Sequence, residues 1–188
     1  FLGEAAAVLH ELEAEIERRV EQIVWRTYEQ SGLEEMAANS SVPVINSLSD
    51  DWHPCQLLAD LMTIKEHFGK TNGLKLAYVG DANNNMANSY LVASAMAGMS
   101  VSISAPEGYL PNQRVIDEAK SFADQFGQEI VITTDPKLAV SGADVVATDT
   151  WVSMGMEAEA DKRAKLFASH SVTEELFTLA DKDAVFLH

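Results

Sequence analysis

The sequence predicts an α/β domain in which a doubly wound parallel sheet carries helices on both faces. Three observations lead there. Short β-rich runs alternate with segments of helical period from Val42 to Leu187. The connections between them are brief and rich in Gly, Asn and Asp, the spacing of β-α-β units. Two runs, Leu76-Ala77-Tyr78-Val79 and Val145-Val146-Ala147, are apolar without alternation, as strands buried on both faces require.

Taken in order, the stretch Glu4 to Val20 repeats its apolar residues at three- and four-residue steps and reads as an amphipathic helix. Ile23 to Tyr28 is a β-rich run, and Ser31 with Glu34 forms a capping-box pattern that would start a short helix to about Ala38. Val42–Asn46 is a second short strand, and a helix over Pro54–Phe68 should carry Leu57, Leu58, Leu61 and Met62 on one face. Next come a strand over Leu74–Val79, a helix over Met86–Ala97, a strand over Ser100–Ser104 and a helix over Gln113–Phe126. A strand over Glu129–Thr133 precedes a short helix opened by Asp135 as cap and Pro136 in its first turn. Ala143–Thr148 is another strand, followed by helices near Glu157–Phe167 and Thr173–Leu179 and a last strand over Ala184–Leu187. Residues 1–41 are expected to be part of a preceding domain or hinge, and 42–188 the α/β domain.

Composition narrows the function. The chain has 188 residues, 47% of them hydrophobic, enough for a globular core. No apolar run approaches the roughly 20 residues of a membrane span, and Phe1-Leu2-Gly3-Glu4 has no basic signal-peptide region, so the expected compartment is the cytoplasm. The start at Phe1 suggests a chain beginning partway through a longer reading frame. A single cysteine, Cys55, allows no internal disulfide and no cysteine cluster for a metal. With 29 acidic against 13 basic residues, the net charge of −16 repels nucleic acid and anionic membranes but favours a cationic substrate. Such an excess suits a salt-tolerant source and an ordinary acidic cytosolic protein equally.

In doubly wound sheets ligands bind beyond the carboxyl ends of the strands. Three polar segments fall there. His53-Pro54-Cys55-Gln56 sets His and Gln three residues apart at a helix start, where free N–H groups favour an anion or a polarised carbonyl; an ordinary proline-led helix start is the rival reading. Gly80-Asp81-Ala82-Asn83-Asn84-Asn85 occupies the place of a dinucleotide-binding turn but lacks its glycine spacing, which disfavours nicotinamide or flavin. Its asparagines suit helix capping or substrate binding. In the third, Thr148-Asp149-Thr150-Trp151-Val152-Ser153-Met154-Gly155, Asp149 follows a buried strand and could meet an ammonium group or cap a turn. Arg26, in an otherwise apolar run, calls for an anionic partner, either a structural carboxylate or a phosphate.

Together, Trp25-Arg26-Thr27, Ser41 to Asp50, His53-Pro54-Cys55-Gln56, Gly80-Asp81 with its asparagines, and Asp149 to Gly155 resemble the ornithine carbamoyltransferase family from about Val20 to His188. The His-Pro-x-Gln element is shared among carbamoyltransferases; the Asp-x-Trp-x-Ser-Met-Gly loop carries the resemblance to those acting on ornithine. The resemblance implies a Rossmann-like ornithine-binding domain, cut short at its C-terminal end. It also implies transfer of the carbamoyl group of carbamoyl phosphate to the δ-amino group of L-ornithine, without metal or other cofactor. Arg26, His53 and Gln56 would be catalytic, and with Pro54 and Cys55 would bind carbamoyl phosphate. Asn84, Asn85, Asp149, Ser153 and Met154 would bind ornithine. A homo-oligomer built on trimers is implied too. The family's Ser-Thr-Arg-Thr phosphate-binding element is missing from these residues, and the segment after Leu187-His188 stops short of the family's Cys-Leu-Pro, so the chain alone is expected to be inactive. The rival expectation is a non-catalytic paralogue serving as an amino-acid-binding or interaction module.

Overall fold

The computed structural model describes residues 20–152 and 157–188. The expected opening helix lies outside the described residues apart from Val20, as do Ser153, Met154 and Gly155 of the third segment. Among the described residues no helix is long and apolar enough to cross a membrane. The chain divides between Cys55 and Gln56 into two compact units.

In the first unit, strands β1 (Ile23–Arg26) and β2 (Val44–Leu48) pair in parallel, with helix α1 (Gln30–Asn39) in the connection. The register runs Ile23 with Val44 through Trp25 with Asn46, then slips so that Arg26 faces Leu48. Strand β1 therefore ends at Arg26, two residues short of the expected Tyr28, and β2 lies two residues later than the expected Val42–Asn46. The Ser31–Glu34 capping box does not form. The helix starts at Gln30, behind Glu29, and that position makes no side-chain cap. One residue inside the helix, Ser31 cannot cap it, and Glu34 instead accepts from Gln30 Nε2 at 3.3 Å.

Helix α2, Pro54–Phe68, has the bounds the sequence predicts, and from Gln56 onward it belongs to the second unit. Its buried stripe is Leu57, Asp60 and Ile64, at steps of three and four. Leu58 and Met62, expected on that face, are exposed, because they lie about 100° round the helix from Leu57 and Leu61. Strands β3 (Lys75–Val79), β4 (Ser100–Ser104), β5 (Ile130–Thr133), β6 (Val145–Ala147) and β7 (Val185–Leu187) form one parallel sheet in the order β5-β4-β3-β6-β7. Helices α3 (Asn85–Met96), α4 (Gln113–Phe126), α5 (Pro136–Val140), α6 (Ala160–Phe167) and α7 (Glu174–Phe177) fill the connections, with 3-10 turns at Glu157–Glu159 and Ala168–His170.

Leu76 to Val79 and Val145 to Ala147 are fully buried, as their unbroken apolar sequences require. Each large side chain among them contributes about 1.5–3 kcal/mol on burial. One layer of core joins Ala77, Val79 and Val146 to Val140, Ala143 and Leu176. Asp135 caps α5 through Lys137 N–H at 2.9 Å, the role its place before Pro136 predicts. From β3 the chain winds outward through β4 to β5, then crosses back to place β6 on the other side of β3. The reversal opens a crevice at the carboxyl ends of β3 and β6. Gly80-Asp81 and Thr148-Asp149 follow these two strands.

Candidate active site

In the first unit, the approach to the His-Pro-Cys-Gln segment is tied down by a polar cluster. Ser49, fully buried, donates to Gln30 Oε1 at 2.7 Å, and Asn46 Nδ2 reaches both Gln30 Oε1 (3.3 Å) and Ser49 Oγ (3.2 Å). Trp52 N–H donates back to Ser49 Oγ at 3.1 Å, and Ser49 N–H to the Trp52 carbonyl at 2.8 Å. Asp50 N–H bonds the Tyr28 carbonyl and Thr27 N–H the Leu48 carbonyl, joining this loop to the end of β1. The turn before His53 is thereby rigid, and the β1 end that carries Arg26 belongs to the same unit. Arg26 is exposed at the strand end rather than enclosed in an apolar run. His53, Pro54 and Cys55 are half-buried, and the Cys55 thiol donates to the Asn46 carbonyl at 3.4 Å. Nothing local in the sequence marks Gln30, Asn46 and Ser49, which brace a neighbouring turn.

In the second unit, Gln56 stands in the first turn of α2 and donates from Nε2 to Asp60 Oδ1 at 3.0 Å. The crevice between β3 and β6 gathers the other segments. Asn84 caps α3, its Oδ1 accepting from Ala87 N–H at 2.9 Å. Its Nδ2 is buried without a well-formed hydrogen bond and lies near the Tyr78 hydroxyl. Asn85 is the first residue of α3, half-buried at a helix N-terminus, the end that carries the positive pole of the helix dipole. Asp149, half-buried, follows β6. Its charge adds to burial in raising the pKa values of Tyr78 and Asp81, so the carboxylate lies close to both.

A buried ion pair stands behind these groups. Asp81 and Arg163 are each 4% exposed, and Arg163 Nη2 donates to Asp81 Oδ2. Arg163 Nε donates to the Trp151 carbonyl, and Nη1 lies 3.7 Å from Glu159. The guanidinium packs against the Tyr109 and Phe167 rings, 5.4 and 5.2 Å from their centroids, and the two rings meet edge to face at 5.0 Å. Trp151 stacks on Phe167 at 5.9 Å. One side chain thus ties the loop after β6 to the loop after β3. Burial holds Asp81 above the ordinary carboxylate pKa, against the pull of Asn83 N–H and Arg163 and with the repulsion of Asp149. Gly80, at φ +142°, makes the close approach possible: a Cβ there would stand 3.3 Å from Thr148 Oγ1 and 3.5 Å from Trp151 Nε1. Thr148 Oγ1 meanwhile donates to the Val79 carbonyl at 2.7 Å, joining the two strand ends directly. The Asp81–Arg163 pairing spans 82 residues of sequence, and no local pattern announces it.

The chain matches two family models. Residues 72–188 match the Asp/Orn binding domain of aspartate/ornithine carbamoyltransferase, and residues 9–66 match its carbamoyl-P binding domain. The second match takes in Arg26 and His53 to Gln56. An ornithine carbamoyltransferase of Renibacterium salmoninarum is 59% identical over 92% of this chain and 56% of its own length. One from Clavibacter michiganensis subsp. michiganensis is 56% identical over the same shares. Among solved structures, ornithine carbamoyltransferase from Pyrococcus furiosus superposes with a TM-score of 0.89 at 42% identity, over 95% of this chain and 57% of that one. The chain thus spans about half the length of the curated relatives it matches.

Proposed function

Because the chain belongs to the aspartate/ornithine carbamoyltransferase family, we propose that the protein carrying it transfers a carbamoyl group from carbamoyl phosphate to the δ-amino group of L-ornithine, giving L-citrulline and phosphate. The observation that carries the reading is the crevice at the topological switch point, where Asp149 and the N-terminus of α3 lie on neighbouring connections. An α-amino acid presents an ammonium and a carboxylate on one carbon. Asp149 takes the ammonium, while Asn85, with Asn84 beside it, and the α3 N–H groups take the carboxylate. Ser153 and Met154 complete the ornithine site. The net charge of −16 draws in an amino acid that carries a second ammonium group.

In the reaction the lone pair of the deprotonated δ-nitrogen attacks the carbamoyl carbon. The C–N bond forms, the C–O bond to phosphate breaks, and phosphate leaves with the electron pair while the nitrogen gives up a proton. Arg26 holds the phosphate or carbonyl oxygen, and His53 and Gln56 orient and polarise the carbamoyl group, with Pro54 and Cys55 shaping the turn that presents them. This is positioning of two substrates and stabilisation of the developing oxyanion, with no cofactor in any step. A trimer-based homo-oligomer and a cytoplasmic location belong to the same reading.

The test is phosphate release from carbamoyl phosphate by the intact protein, with ornithine compared against aspartate, putrescine and N-acetylornithine at equal concentration and citrulline identified as the product from ornithine. Turnover with ornithine at least about tenfold above the others is expected, a discrimination of roughly 1.4 kcal/mol. Ornithine binding without citrulline formation would make the protein an amino-acid-binding module instead.

A further inference from the structure

Asp60 is a carboxylate on the buried stripe of α2, 8% exposed, one turn beyond Gln56 and between Leu57 and Ile64. A charge in that position is costly unless both its oxygens are used. Both are. Gln56 Nε2 donates to Oδ1 at 3.0 Å, and the Tyr90 hydroxyl donates to Oδ2 at 2.6 Å. Tyr90 in turn rests its ring against Tyr78, centroids 5.5 Å apart, and the Tyr78 hydroxyl donates to the Asp81 carbonyl at 3.1 Å. Burial, reinforced by the bond to Asp60, keeps the Tyr90 hydroxyl protonated and therefore a donor. The carboxylate cannot turn away, because Tyr90 is fixed in α3 and Tyr78 in β3.

A carboxylate offers only acceptors. The side-chain amide of Gln56 must therefore turn its NH2 toward Asp60 and its carbonyl oxygen outward. Building on the proposed function, we propose that Asp60, clamped by Tyr90, is a positioning residue that fixes this polarity, so that Gln56 presents an acceptor to the NH2 of the carbamoyl group. A polar tie between α2 and α3 would account for the hydrogen bonds alone, but it would not depend on which way the amide points.

The test exchanges the polarity. In Asp60→Asn the new amide can offer its NH2, Gln56 flips to accept it, and a donor then faces the carbamoyl NH2. The KM for carbamoyl phosphate in the intact protein should rise roughly tenfold or more, with the ornithine KM within about threefold of its original value. In Q56E/D60N the carboxylate at position 56 accepts from the asparagine and still turns an acceptor outward, so roughly fivefold or more of the loss should return. An unchanged KM for carbamoyl phosphate in Asp60→Asn overturns the inference, as does a double variant no better than the single one. Tyr90→Phe, which keeps the ring but frees one oxygen of Asp60, should shift the same KM in the same direction by a smaller factor, and no shift there counts against the clamp. A protein that forms no citrulline defeats the functional reading by itself. The clamp is then decided by NMR of the Gln56 side-chain amide, which should exchange slowly in the original protein and fast in Tyr90→Phe. Fast exchange in both overturns it.

Discussion

Replacing Arg163 by Met removes the partner of a carboxylate that water barely reaches. Asp81 and Arg163 are both 4% exposed, and the guanidinium also serves the Trp151 carbonyl and packs against two aromatic rings. Methionine fills much of the volume but supplies no charge and no donor. Breaking a buried pair from one side costs about 3–5 kcal/mol, a large fraction of the stability of a domain of this size. With a urea m-value of about 1–3 kcal/mol/M, the unfolding midpoint should fall by at least about 1 M at pH 7. The deficit should also depend on pH. Burial already raises the Asp81 pKa, and without the guanidinium it rises further. A carboxyl that holds its proton more tightly folded than unfolded gains relative stability as pH falls, so the gap to the original protein should narrow from pH 7 toward pH 5. Adding Asp81→Asn removes the stranded charge and should restore more than half the loss. A midpoint shift below about 0.3 M, or no recovery in R163M/D81N, would refute the argument that this pair holds the two crevice loops together.

Two further outcomes follow from the same geometry. His170 is buried, with its ring bonded to Ser169 Oγ at 3.1 Å and the Thr134 carbonyl at 3.2 Å, and burial lowers its pKa below 6.5 against the opposing pull of Thr134 and Asp135. Its contribution is therefore present above pH 6.5 and lost as pH falls through the lowered value. His170→Asn, which can still donate to Thr134, should flatten that part of the stability–pH curve, and an unchanged slope would contradict it. Gly80→Ala should cost about 1–3 kcal/mol in urea unfolding, since alanine resists φ +142° and its Cβ meets Thr148 and Trp151; a neutral effect would show that the strand ends are not tightly apposed.

The elements built on repetition were legible in the sequence. Helices α2 and α4 and strand β4 fall where the pattern places them, because the hydrophobic period runs over enough residues to outvote any single position. The first unit was less legible. Ser31 and Glu34 have the letters of a capping box, but the helix starts at Gln30, and a cap depends on one residue of register. Leu58 and Met62 show that apolar identity does not by itself assign a face, while Asp60 shows that a buried stripe can include a charge when donors meet it. For the candidate site, the rule that ligands bind beyond strand ends points to Asp149, Asn84 and Asn85, and the structure places these residues at or beside such ends. The supporting groups were not found. Arg163, Tyr90 and Ser49 act through partners 82, 30 and 19 residues away, and only the folded chain reveals those pairings.

The central claim is that the crevice between β3 and β6 holds the α-amino end of ornithine through Asp149. The most direct measurement is the ornithine dependence of citrulline formation by the intact protein and by its Asp149→Asn variant, with carbamoyl phosphate saturating. A charge-assisted bond to an ammonium is worth about 1.5–3 kcal/mol, so kcat/KM for ornithine should drop roughly 10- to 150-fold, with the KM for carbamoyl phosphate little changed. Ornithine kinetics in Asp149→Asn equal to those of the original protein would contradict the account.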